Sequence, residues 1–210
     1  MYFQVPVTAE QVNYANELVD YSLKHHQISN IWDKNEEKRL KTRDYRFTGS
    51  LGEVLFADTY QLPRKTRAYG AIDGQDLGKD FQLHINQQTL NIDTKAMQRN
   101  NGVLRGNYVL NIPASQLHKP NSLTDCYYCL SFHQQNQIWA ASVVGYVAKS
   151  DILANKVGIF YAKGTVRTRA NNTIFTFNED TYEIDFKDLL PPIITPYIKQ
   201  LEGVKMMSYR

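Results

Sequence analysis

Residues 80–95, Asp80-Phe81-Gln82-Leu83-His84-Ile85-Asn86-Gln87-Gln88-Thr89-Leu90-Asn91-Ile92-Asp93-Thr94-Lys95, alternate apolar and polar side chains twice. Phe81, Leu83 and Ile85 form one apolar set, Leu90 and Ile92 the other, which is the period-two pattern of two half-buried strands. The polar run Asn86 to Thr89 predicts the turn between them. Ile85 then faces Leu90 and Leu83 faces Ile92, while Gln82 meets Asp93 and Asp80 meets Lys95 on the other side. A slip of one residue would set apolar side chains against charged ones throughout, so the faces are well specified. Asp80 and Asp93 become neighbours on one face, roughly 5 to 8 Å apart at Cβ, with Lys95 beside them. Two carboxylates so close call for a cation, and magnesium, which takes oxygen ligands at about 2.1 Å and keeps several waters, is suited to them. The plainer reading is the solvated face of a strand.

Outward from this hairpin, the segment Phe47-Thr48-Gly49-Ser50-Leu51-Gly52-Glu53-Val54-Leu55 predicts a helix capped by Thr48. Its glycines each cost about 1 kcal/mol relative to alanine in a helix interior. That cost fits a backbone that passes close to something, either a packed sheet or a functional site. Glu53 lies beside this small surface. An earlier helix is predicted from Thr8 to about His26, with Thr8 and Gln11 forming a capping box. Between the helices, Lys34, Lys38, Arg39, Lys41, Arg43 and Arg46 are half offset by Glu36, Glu37 and Asp44, so the stretch suits a solvated face at least as well as a DNA contact. The turn-rich segment 69–80 holds Asp73 and Asp76, turn formers that are also alternatives to Asp80 as a ligand.

Beyond the hairpin, strands are predicted at Tyr108–Ile112, around Cys126–Phe132, at Ile138–Val147, at Thr173–Phe177 and at Tyr182–Phe186, with a short helix at Ser150–Leu153 and another near Tyr197–Leu201 that ends at Gly203. The long apolar runs at 126–132 and 138–147 suit central strands. Cys126 and Cys129 are three apart on a strand and point to opposite faces, which disfavours a disulfide or zinc clip and favours buried thiols in a reducing, cytoplasmic setting. The N-terminus has neither a basic start nor a long apolar run, so no signal peptide is expected. No run of apolar residues is long enough for a membrane span. The chain of 210 residues, 42% hydrophobic with a net charge of +3, suits one well-buried domain. Within it we distinguish a core at 48–147, an N-terminal helical segment at 1–47 and a C-terminal strand-rich extension at 148–210. A charge this small announces no nucleic-acid partner, so any such partner must be read from where the charges cluster.

The order of a helix with Gly49-x-x-Gly52-Glu53, then Asp80, then Asp93-Thr94-Lys95 on the adjacent strand resembles the PD-(D/E)xK nuclease superfamily over about residues 48 to 98. The resemblance implies an α/β, restriction-endonuclease-like fold: a mixed central sheet flanked by helices, here with additional C-terminal strands. It implies Asp80 and Asp93 as ligands of Mg2+, with Mn2+ as a substitute, Lys95 positioning or polarising the attacking water, and Glu53 as an outer ligand. The implied activity is metal-dependent hydrolysis of phosphodiester bonds in DNA, of restriction or repair type, with RNA a further substrate to weigh. Enzymes of this type that cut both strands often act as homodimers. Arg64, Lys65, Arg67, Arg99 and Arg105 are candidate contacts to the nucleic-acid backbone, as are Arg167 and Arg169. Two readings of other classes stand beside it. One is a non-catalytic nucleic-acid-binding or assembly protein on the same fold. The other is a structural module in which Asp80 and Lys95 form a cross-strand ion pair.

Overall fold

A computed structural model describes residues 1–25, 36–66, 79–168 and 174–210. Arg67, Asp73, Asp76 and Arg169 lie outside the described residues, as do Lys34 and the side chains of Lys38, Arg39 and Lys41.

The protein is built on a mixed six-stranded sheet. From the N-terminus come β1 (Tyr2–Pro6), α1 (Ala9–His25) and α2 (Glu36–Thr59). The hairpin of β2 (Phe81–Ile85) and β3 (Gln88–Arg99) follows, then β4 (Val109–Pro113) and the one-turn helix α3 (Ala114–Leu117). The two long strands β5 (Cys126–Gln135) and β6 (Ile138–Ala148) complete the centre, followed by the short helix α4 (Lys149–Leu153). The C-terminal part adds β7 (Ile159–Tyr161), β8 (Val166–Thr168), β9 (Ile174–Thr176), β10 (Thr181–Asp185), α5 (Thr195–Lys199) and β11 (Lys205–Met207). The main sheet has the order β11-β1-β6-β5-β3-β2, with β3 and β5 parallel and the other neighbours antiparallel. A smaller sheet, β4-β10-β7, and the β8-β9 hairpin accompany it.

Each face of the main sheet has its own core. On one, Leu51, Leu55 and Phe56 of α2 and Ala15 of α1 pack on Phe81, Leu83, Ile92, Cys126, Tyr128 and Leu130. On the other, Leu110, Ile112, Ile184 and Phe186 from around the smaller sheet pack on Tyr127, Cys129, Val144 and Val147. The two cysteines therefore sit in separate cores, free and buried, as their spacing predicts. Burial raises the Cys126 thiol to about 12, with Asp125 and Asp93 adding to the effect.

Helix α1 starts where expected. The Thr8 hydroxyl accepts from the Gln11 amide at 3.2 Å and the Gln11 side chain accepts from the Thr8 amide at 2.9 Å, which closes the capping box. Helix α2 does not start at Thr48. It begins at Glu36, and Thr48 is a buried interior residue whose hydroxyl donates to the Asp44 carbonyl, four residues back, at 2.9 Å. The basic stretch is thus the first half of this helix. Arg43 pairs with Asp20 at 2.5 Å and Arg46 donates to Ser22 at 3.1 Å, so both tie α2 to α1. The two glycines also part company. A Cβ on Gly52 would come within 2.7 Å of the Ala96 Cβ, so the helix lies directly on β3, whereas one on Gly49 would meet nothing within 4 Å.

The hairpin register differs from expectation by two residues. Phe81 faces Ile92, Leu83 faces Leu90 and Ile85 faces Gln88. The turn is not the four residues 86–89 but Asn86-Gln87 alone, with φ of 47° and 66°. Both values are left-handed, the twist that a tight two-residue hairpin requires. Because the shift is even, the apolar set stays on one face. The polar pairing does change: the ladder ends at Phe81 and Ile92, and the Asp80 amide also bonds the Ile92 carbonyl, at 2.7 Å.

Candidate active site

Strand β2 has five residues and β3 has twelve, so β3 runs on past its partner from Asp93 to Arg99. Asp80 sits where β2 stops. Its amide donates to the Ile92 carbonyl at 2.7 Å, and its carboxylate accepts from the Thr94 amide and the Thr94 hydroxyl, both at 2.7 Å. A side chain thus takes over the ladder bond that the next residue of a longer strand would have made. This leaves the edge of β3 open at Asp93–Lys95 among the described residues. Alternation sends Thr94 and Ala96 toward α2 and Asp93 and Lys95 toward the opposite face, and an open edge lets groups from both faces meet around it.

They do meet. A cavity of about 240 Å³ is lined by Glu53, Asp80, Asp93, Thr94, Lys95, Gln116, Lys119, Ser122 and Thr124. Helix α2 supplies Glu53, the start of the hairpin supplies Asp80, and β3 supplies Asp93 and Lys95, so the four residues singled out by sequence border one space. Its far wall is the segment from α3 to the start of β5.

The carboxylates are matched by lysines. The Lys95 ammonium is 2.5 Å from the Asp93 carboxylate and lies 5.5 Å from the centre of the Tyr127 ring. The Lys65 ammonium lies 2.7 Å from Asp80 and 3.2 Å from Glu53. Burial alone would lower the Lys65 pKa, but the attraction of Asp80 and Glu53 outweighs it and holds the value above normal, so the group stays charged. In place of the expected Asp80–Lys95 ion pair, Asp80 pairs with Lys65 and Asp93 with Lys95.

Among the described residues, no three or more His, Cys, Asp or Glu side chains are gathered closely enough to cage a metal ion. The oxygen donors there nevertheless suit a hard cation: the carboxylates of Glu53, Asp80 and Asp93 and the hydroxyls of Thr94, Ser122 and Thr124, with the Lys65 ammonium already between two of the carboxylates. Magnesium is usually held by one or two carboxylates, with water and substrate phosphate completing the shell, and needs no all-protein cage. Asp80 and Glu53, which share the Lys65 ammonium, are the pair that would hold it, with Asp93 on the same cavity.

No protein-family model, no curated protein and no solved structure matches this chain.

The basic residues predicted to meet nucleic acid are scattered. Arg64 forks onto Asp58 and Glu10 at 2.5 to 2.7 Å, bracing α1 against the end of α2. Arg99 lies 4.2 Å from the Tyr108 ring centre and 5.0 Å from that of Phe186, packed away from the cavity. Arg105 is exposed in the loop before β4 and does not line the cavity. Arg167 pairs with the buried Glu183. Lys65 faces carboxylates. In their place the structure offers Lys119, Gln116, Ser122 and Thr124, which sequence reading passed over. The polar run 115–125 between a strand ending at Pro113 and the apolar Cys126 strand was the available signal, and it carries no spacing that marks a site.

Proposed function

We propose that this protein is a metal-dependent nuclease that hydrolyses phosphodiester bonds in DNA on a restriction-endonuclease-like fold. The observation that carries this reading is that Glu53, Asp80, Asp93 and Lys95, brought from a helix, a strand end and a neighbouring strand, border a single cavity. A divalent ion bound there would neutralise the phosphate and lower the pKa of water. The chain's own groups do the rest. Glu53, Asp80 and Asp93 would hold such an ion by their carboxylates. Lys95, on the same strand face as Asp93 and two residues on, is placed to hydrogen-bond the attacking water or a non-bridging phosphate oxygen as charge builds. Lys119, Gln116, Ser122 and Thr124 on the far wall offer one charged and three neutral hydrogen-bonding groups to the other phosphate oxygens.

The test uses supercoiled plasmid, linear DNA and single-stranded RNA, each with Mg2+, Mn2+ or chelator. Metal-dependent cutting of DNA that vanishes in Asp93→Ala and Lys95→Ala, both folded, supports the reading, and cutting of RNA alone moves the substrate to RNA. The lysine pairing of every carboxylate favours a second reading, a non-catalytic nucleic-acid-binding protein, in which these ion pairs are structural. Altered DNA mobility without cleavage in any metal would select it.

A further inference from the structure

We propose that Lys65 is a positioning residue that occupies the gap between Glu53 and Asp80 in the absence of metal, so that a divalent cation binds only when this side chain withdraws. The inference rests on the metal-dependent reading above and gives it a regulating element.

The geometry supports exchange of one cation for another. The Lys65 ammonium contacts both carboxylates, at 2.7 and 3.2 Å, and also lies 5.6 Å from the centre of the Phe81 ring. Glu53 and Asp80 come from different elements, and without a positive charge between them they would repel. The backbone at Lys65 is held in place: its carbonyl accepts from the Tyr14 hydroxyl at 2.9 Å, and its neighbour Arg64 is locked onto Asp58 and Glu10. The root of the side chain is therefore fixed, while its four-methylene stem has other rotamers that would carry the tip away from the two carboxylates. A lysine suits this role better than an arginine, whose planar fork would grip a carboxylate by two bonds. The apparent affinity for metal falls in proportion to the fraction of molecules in which the tip has left.

Occupancy and simple bracing predict opposite signs. If Lys65 only braced the two carboxylates, its loss would let them spread and weaken metal binding. If it occupies the metal's place, its loss strengthens binding. The full-length protein is titrated with Mn2+ alone, with free ion followed by electron paramagnetic resonance and folding by circular dichroism. Lys65→Gln is expected to bind Mn2+ about tenfold more tightly than the wild type. Lys65→Arg, whose fork grips the carboxylates harder, should bind Mn2+ more weakly than the wild type. Lys119→Gln, which removes the same charge from the far wall, should change affinity by no more than about twofold. Lys65→Met, which keeps the stem against Phe81, replaces the glutamine variant if that variant does not fold. Equal or weaker binding by the folded variant overturns the inference, as does an equal gain in Lys119→Gln. If the wild type binds Mn2+ and cuts DNA while Lys65→Gln gains nothing, only this inference falls. If neither protein binds Mn2+, the metal-dependent reading falls with it.

Discussion

Asp93, Lys95, Met97 and Arg99 stand on the same face of one strand, yet its two ends have different surroundings. At the first end β2 has stopped, and Asp93 and Lys95 border a polar cavity. At the other end the aromatic rings of Tyr108 and Phe186 close over Arg99, Met97 packs into the second core, and the Arg99 guanidinium is used as packing material. Strand, face and charge type are shared. What separates an open, polar end from a packed one is the cover that distant segments bring.

The comparison can be broken most directly at the open end. Asp93→Asn should lower the rate of metal-dependent plasmid nicking by about a thousandfold with little change in melting temperature. A large loss of stability instead would make Asp93 a structural residue like Arg99. At the closed end the pattern should invert. Arg99→Ala is expected to cost about 2–3 kcal/mol of stability through its two ring contacts, read from urea denaturation, with nicking per folded molecule unchanged. A third variant pair probes how α2 presents Glu53 to the open end. Gly52→Ala should destabilise by about 1–2 kcal/mol, because overpacking against Ala96 outweighs the gain in helix propensity. Gly49→Ala, with open space around it, should stabilise by up to about 1 kcal/mol.

The smallest effect concerns the brace beside Lys65. The Arg64 hydrogen bond holds the Glu10 carboxyl below its usual 4.5, against a slight opposing effect of burial. An acid whose folded value is depressed stabilises the fold above its unfolded pKa and loses that contribution as pH falls through the folded value. Glu10→Gln should therefore be less stable than the wild type at pH 7, with the difference shrinking as pH falls below 4.5, by denaturant titration at each pH. Glu10 is 65% exposed, so solvent screening keeps the difference under about 1 kcal/mol.

The strands of the hairpin and β4, β5, β6, β9 and β10 were legible because alternation is a local property, whereas β1, β7 and β11 do not display it and are strands through their partners. That Glu53, Asp80, Asp93 and Lys95 come near one another was legible because they lie within one helix and one hairpin. The register was not. Its turn is Asn86-Gln87, and the hairpin between β5 and β6 turns on Asn136-Gln137 with φ of 50° and 65°. Neither carries the glycine that usually marks such a turn. The start of α2 was misplaced because Thr48 resembles a cap, whereas its hydroxyl bonds back within a helix that tolerates two glycines. The basic residues were the least legible. An arginine's partner is set by tertiary packing, and nothing near Arg99 in the chain announces Phe186.

The chain leaves β3, builds β4 and α3, and returns to run alongside as β5, so this long excursion is itself the far wall of the cavity. Its inner residues reach Asp93 only once two strands far apart in sequence have aligned side by side, a slow kind of pairing. On the proposed reading, a chain still emerging or half assembled has the acids and the amine but no cleft to hold a phosphate between them. The capacity to cut would then arrive only with the finished fold, which spares the cell a loose blade.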